Sequence, residues 1–306
     1  MNRKSLAFPI CIAIAMLLFS SCKKEASTAD ESSSAEDHGN VTSALNTTTD
    51  DAANAVGGIT SLSGKTDGAL AICGYTIDST QKVNGVLTIN FDGTTCNNVS
   101  KTGTIVATLE NFSSGMRWKD VGAVLKLEFQ NVKVTKIATG KSLIINGTHY
   151  IVNTTGGVAW KVLQGLSTAT VTHKHIANNF NITFDDGTQR VWNVRRSRTF
   201  SSSGVNVNVT VTGDTTINGQ ANVEAWGTNR NGNSFTTAVT TPISSGNTCG
   251  FYKPVAGELN HLVANKSMVI LFGVDASGNQ TSGTCPYGMK ITYTGPNKTI
   301  SRVVAY

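Results

Sequence analysis

The chain has 306 residues, of which 25 are basic and 19 acidic, for a formal charge of +6. The excess is split: residues 22–60 carry two lysines against seven acids, net −5, and residues 61–306 carry 21 basic against 12 acidic residues, net +9. A bias that mild reads first as solubility, calls for no specific nucleic-acid partner, and leaves lipid head groups or acidic glycans as the polyanions such a body would favour.

The chain opens with Arg3 and Lys4, then a 14-residue apolar run, Leu6 to Phe19, that contains Pro9. A membrane span needs about 20 apolar residues, so the run fits a secretory signal peptide over residues 1–21. It closes on Leu18-Phe19-Ser20-Ser21-Cys22, followed by Lys23. That ending resembles a bacterial lipobox of the relaxed bacteroidete type, with Phe19 standing where the commonest form has Leu. The resemblance implies that Cys22 receives diacylglycerol and becomes the new N-terminus. Two or three acyl chains hold a protein at a membrane without a span. Lys23, rather than Asp, implies the outer membrane, with the periplasmic face and the cell surface both open.

Residues 22–60 read as a flexible acidic tether. Positions 23–48 are rich in Ser, Thr, Ala, Asp and Glu, with few large apolar groups to offset chain entropy. One short helix is expected over residues 50–56, capped by Thr49, favoured by Asp50 and Asp51 at its positive end and stopped by Gly57.

Residues 61–306 read as a β-rich domain. Leu87–Phe91, Val124–Phe129, Phe180–Phe184 and Val205–Val209 alternate apolar and polar side chains, the period of a half-buried strand. Asp92-Gly93, Asn146-Gly147, Asp186-Gly187 and Asn218-Gly219 are hairpin-turn pairs. The class expected is all-β, a large twisted antiparallel meander, open or partly sandwiched. A faint echo links Cys73-Gly74-Tyr75, a β run and Cys96 with Cys249-Gly250-Phe251, a β run and Cys285. It suggests two similar lobes, about 61–165 and 166–306. Four exported cysteines admit three pairings. The echo selects Cys73–Cys96 and Cys249–Cys285, each stapling a hairpin.

The runs Gly85–Phe91, Gly103–Leu109, Val124–Val134 and Ile144–Gly147, with Phe184-Asp185-Asp186-Gly187-Thr188 leading into Val191, Trp192 and the arginines, resemble a family of uncharacterised bacteroidete-type secreted lipoproteins. The resemblance implies a long β-sheet, a lipid anchor and no assigned reaction, so no catalytic residues carry over.

The densest charged segment is Arg190 to Arg198. On a strand, Arg190, Trp192, Arg196 and Arg198 share one face and Arg195 points the other way. His173 and His175 share a face just upstream. If the two segments pair, guanidinium, indole and imidazole groups form one patch able to stack a sugar or grip a phosphate or carboxylate. The alternative is a solvated sheet face with long stems covering apolar surface. No metal site is expected: there is no C-x-x-C, and His38, His149 and His261 are distant in sequence from the His173–His175 pair. No G-x-S-x-G or H-E-x-x-H occurs, and the acids of the body are scattered. The reading is a lipid-anchored, non-catalytic binding or structural protein without a cofactor. Its alternatives are an acidic-glycan or polyanion binder using the Arg/Trp patch, and a carrier of an apolar ligand in a curved sheet.

Overall fold

The structure is a computed structural model that describes residues 28–64, 73–264, 266–282, 284–295 and 299–306. The signal segment 1–21 and the expected lipidation site Cys22 lie outside the described residues. Two helices lead the chain, α1 (Thr28–Gly58) and α2 (Thr60–Ser63). Then follow β1 (Tyr75–Asp78), β2 (Val86–Cys96), β3 (Val99–Leu109), β4 (Ala123–Lys136), β5 (Ser142–Asn153) and a short helix, α3 (Ala159–Leu163). The next strands are β6 (Val171–Phe184), β7 (Gln189–Ser203), β8 (Asn206–Gly213), β9 (Thr215–Ile217) and β10 (Gln220–Thr228). The last are β11 (Ser234–Gly246), β12 (Ala256–Val263), β13 (Lys266–Val274), β14 (Gly288–Thr294) and β15 (Thr299–Ala305).

All fifteen strands belong to one antiparallel sheet, so the expected all-β class holds. The order follows the chain from β1 to β7 and from β10 to β15. Between β7 and β11 one lane is shared: β10 pairs residues 191–194 of β7, and β8 pairs residues 196–203. The end of β8 meets β10 so closely that a Cβ on Gly213 would overlap the Asn222 carbonyl, and only glycine fits there. β5 and β6, the strands on either side of positions 165 and 166, pair along most of their length.

Both disulfides form as the echo predicts, Cys73–Cys96 and Cys249–Cys285. The first staples the β1–β2 hairpin. The second joins the β11–β12 loop to the β13–β14 loop, because Cys249-Gly250-Phe251 precedes β12 instead of starting a strand. Two of the four turn pairs are turns: Asp186-Gly187 joins β6 to β7, and Asn218-Gly219 joins β9 to β10. The other two lie inside strands. Gly93 sits at a register shift of β2 against β3, and Gly147 at one of β5 against β6. A positive-φ glycine serves a bulge as well as a turn. The β2–β3 turn is made instead by Asn97 and Asn98, both with positive φ.

The largest departure is at the N-terminus. From Thr28 to Gly58 the expected tether is a continuous 31-residue helix, about 46 Å long at 1.5 Å per residue. Its buried positions recur as 34/35, 37/38, 41, 44/45, 48/49, 52/53 and 55/56, a helical period written mainly in Ala, Ser, Thr, Asp and His. Thr49 is no cap. Its hydroxyl donates to the Leu45 carbonyl one turn back, as Thr48 does to Ala44. α1 touches β2, β3 and β4 as well as β12, β13 and β14, so the sheet curls around it as a trough. Gly39 lets it lie against Met289, and Gly57 lets it lie against Trp160.

Candidate functional site: a basic trough filled by the N-terminal helix

β7 supplies the floor. Its alternate residues Arg190, Trp192, Val194, Arg196, Arg198 and Phe200 all face the trough and are buried. On β6, His173 lies opposite Arg198 and His175 opposite Arg196, so the two expected segments do pair as neighbours. His149, on β5, brings Nε2 to 3.0 Å from His175 Nδ1. His261 (β12) and His38 (α1) complete the set. All five histidines of the chain are thus buried, none more than 2% exposed. Arg195 stands on the opposite face, half-buried, and takes no part.

The correction to the expected patch is its setting. Arg196 and Arg198 do not meet solvent, because α1 covers them with polar side chains. Arg198 donates through Nη1 and Nη2 to Asp50 Oδ1 and Oδ2, at 2.6 and 3.0 Å, and the Tyr252 hydroxyl donates to the same carboxylate at 3.2 Å. Arg196 donates to Asn46 Oδ1 at 2.6 Å and to Glu224 Oε2 at 3.2 Å. Glu224, from β10, accepts at 2.8 Å from His38 Nε2, which carries the proton because the carboxylate has none to give. Further along α1, Arg230 grips Asp37 through Nε and Nη2, both at 2.6 Å. Lys101 reaches Asp51 at 2.5 Å.

Burial governs the protonation states. It pushes His149 and His173 down to about 3, with the guanidinium groups of Arg196 and Arg198 adding to the effect at His149 and that of Arg198 at His173. His175 and His261 are also held well below the ordinary imidazole value by burial, and His38 is lowered. These rings are therefore neutral at pH 7. Burial alone would raise Glu224, but the His38 hydrogen bond and the Arg196 charge outweigh it and hold the carboxyl down, at about 2.

Ser34 Oγ lies 3.1 Å from His261 Nε2, and Thr237 Oγ1 lies 2.8 Å from His261 Nδ1. Both ring nitrogens are taken by hydroxyls, so the imidazole lacks the carboxylate that orients a catalytic base. His149 joins His173 and His175 despite its distance in sequence. Even so, among the described residues no group of three or more His, Cys, Asp or Glu is placed to hold a metal ion. The guanidinium groups alongside would repel a cation in any case.

The strand half of this site is legible in the sequence; the helical half is not: Ser34, Asp37, His38, Asn46 and Asp50, together with Glu224, Arg230 and His261. One signal was available. Glu224 is the lone acid of a short Val/Ala strand segment, a pattern that asks for a buried cation.

No helix among the described residues is long and apolar enough to cross a membrane, which leaves β-strand spans unaddressed. No family model, no curated protein and no solved structure matches the chain.

Proposed function

We propose that this is an exported protein, anchored through Cys22 at the outer membrane or cell surface, with a non-catalytic binding role carried by the Arg/His/Trp trough. Two disulfides in a body with no C-x-x-C support an oxidising compartment. The trough binds anionic ligands of the acidic-glycan class, and α1 is its intramolecular occupant.

The observation that carries this reading is the Asp50–Arg198 fork with Asn46–Arg196 beside it: a segment of the same chain presents acidic and amide oxygens to the basic floor. The buried side of α1 suits release. Its large aliphatic groups are Val41, Leu45 and Val56, each contributing roughly 1.5–3 kcal/mol when buried. The rest is alanine and polar groups that water accepts. The apolar-carrier alternative needs the same face open and dry, and α1 fills it with hydrogen bonds.

Salt-gradient elution from an immobilised acidic polysaccharide tests the reading. Asp50→Asn unlatches Arg198 and raises the eluting salt concentration above wild type, and Arg198→Met lowers it. Elution of all three at one salt concentration removes the proposal.

A further inference from the structure

Among the described residues only two aromatic side chains are exposed, Tyr252 at 43% and Tyr287 at 52%. They are not scattered. They stand three and two residues beyond the cysteines of one disulfide, Cys249–Cys285, whose Cα atoms are 5.2 Å apart. The bridge joins the β11–β12 loop to the β13–β14 loop, so one corner of the sheet carries both rings.

Both loops are fixed. Tyr306 ties them a second time: its N–H donates to the Tyr287 carbonyl at 3.2 Å, and its hydroxyl donates to the Pro254 carbonyl at 2.6 Å. The Tyr287 N–H donates to the Val274 carbonyl at 2.8 Å, and Ser245 Oγ donates to the Phe251 carbonyl at 2.9 Å. A tyrosine on a rigid loop offers a broad amphipathic surface with little side-chain entropy to lose on binding. Lys253, exposed between Tyr252 and Pro254, supplies a cation at the same place. Asp275, the acid of the β13–β14 loop, turns its carboxylate to the Ser277 and Asn279 N–H groups of its own turn.

Tyr252 is also part of the latch on α1. Its hydroxyl donates to Asp50 Oδ2 at 3.2 Å, the oxygen that accepts from Arg198 Nη2. A ligand that engages this hydroxyl competes with α1 for it.

We propose that Tyr252, Lys253 and Tyr287 form an entry site for a uronic-acid saccharide. Sugar rings stack on the tyrosines, Lys253 pairs with a carboxylate, and engagement of the Tyr252 hydroxyl loosens the Asp50–Arg198 fork. The ligand class rests on the reading of the trough as an acidic-glycan site, whereas the location rests on the exposed rings alone.

The experiment is a titration of the full mature chain with a short sodium oligogalacturonate against sodium chloride of equal ionic strength. It is read by the aromatic ¹H–¹³C resonances of tyrosine and by amide exchange along α1. The Tyr252 and Tyr287 resonances should move most and saturate, and exchange at residues 46–50 should quicken as they do. Tyr287→Ala weakens binding roughly fivefold, the worth of one ring contact. Tyr252→Phe keeps the ring and still binds, but exchange at residues 46–50 no longer responds to the sugar. Lys82→Gln, which alters an exposed lysine between β1 and β2, leaves binding unchanged. Tyrosine resonances that the saccharide moves no more than chloride does, or full affinity in Tyr287→Ala, overturn the site. Unchanged exchange at residues 46–50 in the saturated wild type overturns its coupling to the latch. The trough fails separately: polysaccharide retention that ignores Arg198→Met removes that reading while the tyrosine response stands.

Discussion

Asp50 and Arg198 stand 148 positions apart in the chain and meet through both carboxylate oxygens, the arginine 2% exposed and the aspartate 12%. This pair fixes the C-terminal half of α1 over β7. The Tyr252 hydroxyl ties the β11–β12 loop to the same oxygen. A helix of low apolar content is thereby held by directional contacts, and removing one partner exposes how much each contributes.

Asp50→Asn leaves a buried guanidinium without its counter-charge. Breaking a buried pair from one side costs about 3–5 kcal/mol, whereas removing both partners costs much less. Urea unfolding should therefore show Asp50→Asn as the most destabilised variant, with Arg198→Met less affected. The Asp50→Asn/Arg198→Met double variant should recover most of the loss. Additive losses would mean that the two residues do not interact.

Acid should unfold the protein early. The buried histidines have folded-state pKa values below their unfolded value of about 6.5, so below that pH the unfolded chain takes up protons that the folded chain refuses. Stability is level above pH 6.5 and falls as the pH drops toward 3, by about 1.4 kcal/mol per pH unit for each histidine in its window. Asp37 and Asp51, raised mainly by burial, oppose this as the pH falls from their raised folded-state values to the unfolded value of about 4, and add nothing further below it. Between pH 6.5 and 4.5 the urea midpoint should decline steeply, and His149→Gln should flatten the decline.

Arg195 and Arg196 are adjacent in sequence and opposite in setting. Arg195→Ala should change stability by no more than about 0.5 kcal/mol, as surface substitutions do. Arg196→Ala strands Glu224 in the interior and should cost at least roughly 3 kcal/mol. Thermal unfolding of the two variants side by side checks the alternation directly.

The disulfides close 23 and 36 residues of chain, for which loop entropy gives about 3–4 kcal/mol each. Cys249→Ser/Cys285→Ser should lose that much in denaturant titrations under non-reducing conditions. The loss should also loosen the Tyr252 contact with Asp50, since Tyr252 lies three residues from Cys249.

What the sequence disclosed follows from how strongly each pattern is written. Strand alternation at Leu87–Phe91 and Phe180–Phe184 is explicit because one face is fully apolar, and the side assignments of Arg190, Trp192 and Arg196 follow from the same period of two. α1 was hidden because its buried stripe uses Ala35, Thr48, Thr49, Asp37 and His38 in place of leucines. A hydrophobicity reading sees that composition as a spacer. The Arg/Trp face looked open for the same reason, since nothing in the strand sequence announces that a helix more than 130 residues upstream lies on it. Asp92-Gly93 and Asn146-Gly147 misled because positive φ is common to turns and bulges.

The central claim is that α1 occupies the trough, and amide hydrogen exchange over residues 34–56 of the full mature protein tests it most directly. The account predicts protection there comparable to that of β6 and β7 at pH 7, falling selectively along α1 in Asp50→Asn while the sheet keeps its own. Exchange at unstructured-chain rates through residues 34–56 in the wild type, with β6 and β7 still protected, would contradict it.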